Sequence, residues 1–204
     1  MIAASAAAAL AEVICTQPLD TAKVRMQTGH SLRAPASWMW QGTGIRAAGI
    51  IQVRIVFWST MDVMMEQGLH PALAGGIAGC AQTVVDTPVE AAKISRMTGG
   101  APINLRTMWR GASWTLSRNA AFAATVCAGR SSTDTVWGAP AGAIVGAVIT
   151  HPLDTLKSRA QASTALSSGS LWSGLLPRCA VVAMAMLVGS AVFDAAKMHS
   201  DRGS

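Results

Sequence analysis

The sequence predicts an all-α membrane protein, six transmembrane helices built as three repeats, and three observations predict it. Composition is the first. Of 204 residues 51% are hydrophobic and only 13% charged, with a mean hydropathy of +0.37. Soluble domains carry about 25% charged residues. The second is a motif that occurs three times, as QPLDTAKVR at 17–25, TPVEAAKISR at 87–96 and HPLDTLKSR at 151–159. The third is a tryptophan–x–glycine element, WQG at 40–42, WRG at 109–111 and WSG at 172–174, whose glycine follows the motif proline by 24, 23 and 22 residues. Two separate features that keep register through three copies mark an internal repeat.

The repeats are expected at 1–66, 67–135 and 136–204, together one domain. Each opens on an apolar segment ahead of its proline: 1–17, 71–87 and 138–151. A polar link of some two dozen residues follows. A second apolar segment then runs past the glycine, at 44–62, 112–131 and 175–194. Crossing about 30 Å of hydrocarbon takes roughly 20 helical residues, a length these segments reach once the motif turns are counted in. Residues 1–15 lack a basic leader and run straight into the first motif, so they are read as the first span rather than a signal peptide. Gly75 and Gly79, then Gly138, Gly142 and Gly146, form small-xxx-small faces for which ordinary close helix packing is sufficient reason.

Net charge is +6 and the pI about 9.8. Aromatics interleaved with basic residues are missing, and the basics form no single stripe, which argues against nucleic acid. They gather instead in the links. Only Arg130, Lys197 and Arg202 lie toward the opposite side, with Arg54 and Arg118 inside spans. Positive charge is retained on the side of the links, so both termini face the other way. Cys15, Cys80, Cys127 and Cys179 are widely spaced within apolar segments and make no metal-ligand pattern. His30, His70, His151 and His199 pair with no Cys or Ser at helical spacing. With no phosphate loop either, the reading is of a protein that is not an enzyme and uses no cofactor or metal.

The motif has a physical purpose. Each proline (Pro18, Pro88, Pro152) is followed two places on by an acid (Asp20, Glu90, Asp154) and three further on by a lysine (Lys23, Lys93, Lys157). Acid and lysine three apart share a helix face, and a proline removes one helix hydrogen bond and bends the segment. A bend there turns the charged face toward the axis of a three-fold bundle. The acid of one repeat then meets the lysine of another, as Asp20–Lys93, Glu90–Lys157 and Asp154–Lys23, and the ring acts as a gate at one mouth. Exposed ion pairs contribute about 0–1 kcal/mol each, a scale that suits a gate which must open.

Three copies of P-x-[DE]-x-x-[KR]-x-[KR], each followed by an aromatic and a glycine, resemble the mitochondrial carrier family over essentially the whole chain. The resemblance implies a six-helix, three-fold pseudo-symmetric bundle with short matrix-side helices. It implies solute transport by alternating access across the mitochondrial inner membrane, with both termini toward the intermembrane space. Its partners would be a small-molecule substrate and anionic membrane lipid, with the chain a monomer. The ring becomes a matrix gate, braced by a glutamine nine residues past each proline. Gln27 and Gln161 match this position and Met97 departs from it; Ser95 replaces the usual second basic residue, with Arg96 one place late. At the opposite mouth the family pattern [FY]-[DE]-x-x-[KR] is complete only in FDAAK at 193–197. Asp62, Asp194 and Lys197 are the outer-gate residues it implies, with Asp62–Lys197 the available pair and Arg130 near Asp194.

The same resemblance places substrate contacts seven and eight residues past each glycine: Gly49 with Ile50, Arg118 with Asn119, and Val181 with Val182. Only the middle pair is polar. An unpaired arginine within a span costs at least about 2.5–3.5 kcal/mol, so Arg118 either pairs structurally or holds a substrate carboxylate or phosphate. Glu12, on the first span, would meet a substrate cation or neutralise Arg118; Arg54 points elsewhere and reads as structural. One arginine, one acid and otherwise small contacts fit a zwitterion better than a polyanion. Within the family, the short links and GLLPRCAVVA at 174–183 look most like the S-adenosylmethionine carriers. Asn119 stands where an acid is expected, and an arginine followed by an amide is similar to the keto- and dicarboxylate carriers. A non-transporting membrane scaffold of the same family is the rival reading, favoured by the weakened second repeat and the sparse outer gate.

Overall fold

The computed structural model describes residues 2–32, 36–99, 104–132, 137–163 and 169–201, without the side chains of 2–8, 36 and 189–201. Every regular element among the described residues is helical. α1 (Ile2–Gln27) and α3 (Pro71–Thr98) each carry an apolar segment and its charged motif on one helix that runs through Pro18 or Pro88. α3 begins on Pro71 at its first turn, with the His70 side chain accepting from the Ala72 N–H at 3.3 Å. It ends at Gly99, left-handed at φ +67°, whose N–H closes on the Ser95 carbonyl.

The third copy differs. There the helix is broken at Thr150 into α5 (Gly138–Ile149) and α6 (His151–Gln161), with Pro152 in the first turn of α6. A proline withholds a donor in all three copies, but among the described residues only here does a side chain bond the opened turn. Arg178 donates to the Thr150 carbonyl at 3.2 Å and to its hydroxyl at 2.5 Å.

α2 (Thr43–Glu66), α4 (Ala112–Ser132) and α7 (Leu175–Asp201) begin directly after the tryptophan–x–glycine elements. Gly42, Gly111 and Gly174 are left-handed, at φ +82°, +75° and +83°, a conformation that costs other residues about 1–3 kcal/mol. Each also packs on the backbone of a motif lysine. A Cβ would stand 3.2 Å from the Lys93 carbonyl oxygen at Gly42, 3.4 Å from that of Lys157 at Gly111 and 3.1 Å from that of Lys23 at Gly174. The glycine therefore both turns the chain and lets the link close on the neighbouring repeat.

Of the links, the first carries a short 3-10 helix, Ala36–Trp40. The described parts of the other two, 104–111 and 169–174, are turns rather than the expected short helices. Asn104 explains one of them: its side-chain oxygen takes the Arg106 and Thr107 N–H groups at 3.1 and 2.9 Å, an arrangement that competes with helix.

Helices adjacent in sequence pack side by side, α1 on α2, α2 on α3, α3 on α4 and α4 on α5, and α7 closes the circuit against α1 and α5. Small residues set the closest approaches. Gly79 faces the Asn119 carbonyl of α4, and Gly142 and Gly146 face Thr125. One stretch among the described residues, 37–66, is long and apolar enough to cross a bilayer by length and composition; 138–149 and 175–188 are apolar but shorter. Gly75, Gly76, Gly79, Gln82 and Asp86 dilute α3, and the break at Thr150 shortens α5.

Candidate functional site

Three acids and three lysines meet where α1, α3 and α6 converge. Lys93 donates to Asp20 at 2.8 Å, Lys23 lies 2.7 Å from Asp154, and Lys157 pairs with Glu90. The pairs within each motif, three residues apart, are looser: 3.9 Å for Lys23–Asp20, 4.0 Å for Lys93–Glu90 and 3.9 Å for Lys157–Asp154. Every lysine thus prefers the acid of another repeat, and the three pairs close a cycle. Lys157 and Asp154 are essentially sealed from solvent, at 1% and 0% exposure. Attraction must there offset a desolvation cost of several kcal/mol per ion, which additional donors help to meet.

Those donors come from the helices after the links. Arg46, four residues past Gly42, lies 3.6 Å from Asp20, and Arg178, four past Gly174, lies 3.3 Å from Asp154. The equivalent position in the second repeat is Thr115, which instead bonds the Gly111 carbonyl. Glu90 is served by Arg118, at 3.3 Å. Sequence reasoning passed over Arg46 and Arg178, although a basic residue four past the glycine in two of three copies was a signal it could have used.

The two motif glutamines are placed differently. Gln27 donates to Asp154 at 2.9 Å and accepts from Ser158 at 2.8 Å. Gln161 does not reach the ring: its side-chain nitrogen and oxygen are both buried without a partner, and its stem lies against Gly111. The Glu90 carboxylate is already held by Lys157 and Arg118. Met97, in the third such place, is buried in a small apolar cluster with Val24 and Ile94.

Arg118 is far from unpaired. It contacts Asp86 at 2.9 Å, Asp154 at 3.1 Å and Glu90, and it also bonds the side chain of its neighbour Asn119. Asn119 in turn donates to Asp86 at 2.9 Å and to Thr83 at 3.2 Å. Asp86, which sequence reasoning did not single out, is thus a shared partner of Arg118 and Asn119. Glu12 pairs with Arg54 rather than with Arg118. Gly49 and Ile50 line a cavity of about 140 Å³ together with Arg46, Val53, Asp86, Val89, Glu90 and Lys93. Val181 and Val182 on α7 are half-buried and lie outside its lining. At the other end Asp62 is exposed on α2, while the side chains of Asp194 and Lys197 lie outside the described residues.

The family model for the mitochondrial carrier protein matches residues 1–38, the stretch that holds Pro18, Asp20, Lys23 and Gln27. This match supports the mitochondrial carrier family and, with it, membrane transport of metabolites, since members of that family are transporters rather than enzymes. No curated protein matches the chain.

Proposed function

We propose that the protein is a six-span mitochondrial carrier which moves a small metabolite across the inner membrane by alternating access. The observation that carries this is the closed cycle of three inter-repeat ion pairs. Such a cycle plugs one mouth, and it comes apart only when the repeats separate. The matrix is the side assigned to this mouth by the charge of the links, with the termini toward the intermembrane space.

The distribution of polarity supports a bilayer setting. Large apolar side chains such as Ile55, Leu73, Ile149 and Leu187 face outward, while Asp20, Lys93, Asp154 and Lys157 are buried. An apolar exterior of that extent belongs in lipid. Trp40, Trp109 and Trp172 are each about half exposed at the same point of the three links, where an interfacial belt of tryptophan is expected. Anionic lipid and a monomeric state belong to this reading.

The substrate class we infer is a small zwitterion, with S-adenosylmethionine as a specimen. Its support is a cavity wall that offers both signs of charge, Arg46 and Lys93 beside Asp86 and Glu90. The engagement of Arg118 by three carboxylates favours a second reading, a non-transporting scaffold in which this network is purely structural.

Counter-exchange in proteoliposomes separates the two. Wild-type protein should exchange a labelled zwitterion, Asp20→Lys should abolish exchange, and the double reversal Asp20→Lys/Lys93→Asp should restore a measurable part of it. Failure of the wild type to exchange S-adenosylmethionine, amino acids, keto acids or dicarboxylates would overturn the carrier reading in favour of the scaffold.

A further inference from the structure

Asp86 stands apart from the cycle. The acids of the three motifs each have a lysine within 3 Å, whereas the one ion pair of Asp86 among the described residues is with Arg118. Both of its hydrogen bonds, from Arg118 Nη2 and Asn119 Nδ2, land on Oδ2 at 2.9 Å. Oδ1 accepts none among the described residues, and it is not among the buried unpartnered atoms. Asp86 also lines the cavity, together with Gly49, Arg46, Lys93 and Glu90. Glu90 has no oxygen to spare: Oε1 meets Arg118 and Oε2 meets both Arg118 and Lys157.

We propose that Asp86 is the specificity-determining residue of the cavity, holding the cationic group of the substrate through Oδ1. The proposal rests on the substrate-cavity reading above. A substrate ammonium or sulfonium against Asp86 competes with Arg118 for the same carboxylate. As the hold on Arg118 weakens, its guanidinium turns its paired N–H groups to a substrate carboxylate, the geometry arginine binds best. Charge is conserved throughout: a carboxylate and a cation in the protein trade partners with a cation and a carboxylate in the substrate. A plain dicarboxylate offers Asp86 only repulsion and is disfavoured.

The test measures ligand stabilisation of the purified full chain, because a ligand that prefers the folded state raises the unfolding temperature. The probes are S-adenosylmethionine and lysine, which carry a cation, and succinate, which does not. Wild-type protein should be stabilised by a cation-bearing probe and not by succinate. Asp86→Asn keeps shape and an oxygen for Arg118 and Asn119, but removes the charge. It should weaken the response to cation-bearing probes by about tenfold or more and leave or improve that to succinate, and Asp86→Glu should recover part of the loss. A wild type that responds to succinate alone or to no probe overturns the proposal, as does an Asp86→Asn protein that keeps the wild-type preference. Loss of liposome exchange with this binding pattern intact would count against transport and for Asp86, so the two readings fail separately.

Discussion

Gln27 and Gln161 occupy the same place in their repeats, nine residues past the proline, and their surroundings give them opposite energetic signs. Gln27 uses both ends of its amide, one on Asp154 and one on Ser158. Hydrogen bonds to charged groups contribute about 1.5–3 kcal/mol, and a buried amide without partners costs about 1–3 kcal/mol. Replacement by methionine, close in volume and apolar, should therefore act in opposite directions. Gln27→Met is expected to lower the unfolding temperature of the purified protein. Gln161→Met should leave it unchanged or raise it, because the buried nitrogen and oxygen that lack partners are removed. A large loss of stability in Gln161→Met would mean that this side chain braces the ring after all.

At the scale of the element, the link glycines carry the assembly. Gly42 combines a left-handed backbone with an approach to Lys93 that leaves a Cβ 3.1 Å from the lysine Cγ and 3.2 Å from its carbonyl oxygen. Gly79 sits deeper, where a Cβ would come within 2.5 Å of the Asn119 carbonyl oxygen between two helices. Gly42→Ala should cost about 1–3 kcal/mol through backbone strain and also loosen the Asp20–Lys93 pair. Gly79→Ala should push α3 and α4 apart, and so disturb the Asp86–Asn119 contact without touching a charge. Thermal unfolding of both variants checks the first effect, and ligand stabilisation with S-adenosylmethionine checks the second. Both glycines could be picked out in the sequence, Gly42 by its threefold recurrence and Gly79 by its spacing from Gly75. What stayed hidden is what does not recur. Asp86, Arg46 and Arg178 have no counterpart in all three copies, so pattern-matching between repeats averages them away. The arginine that bonds the broken turn at Thr150 lies 28 residues later, and no local propensity reports such a contact. The pairing partners of Arg118 were equally out of reach, since four acids and six basic side chains within one cluster permit many assignments that only distance decides.

For the molecule as a whole, the decisive property is the inversion of polarity. Charged side chains fill the interior where the helices converge, and apolar ones cover the outside. In water such an exterior would drive association; in hydrocarbon it would be the favourable arrangement, with the interior charges kept from lipid by the helices around them. Cys15 gives a direct reading of which solvent the outside meets. Its side chain is exposed on α1, next to the outward-facing Ile14 and three residues before Pro18. A charged, membrane-impermeant reagent does not enter hydrocarbon, so it does not meet a thiol that faces lipid. In proteoliposomes a membrane-impermeant maleimide should therefore leave the peptide containing Cys15 unmodified. The same reagent should modify it fully once the protein is denatured in dodecyl sulfate. Peptide-resolved mass spectrometry distinguishes Cys15 from the buried Cys127 without any substitution. Rapid modification of Cys15 in intact liposomes would place this face of α1 in water. The outer surface would then need a protein partner rather than lipid to cover it, and the case for a six-span carrier would lose its physical basis even with the ion-pair cycle in place.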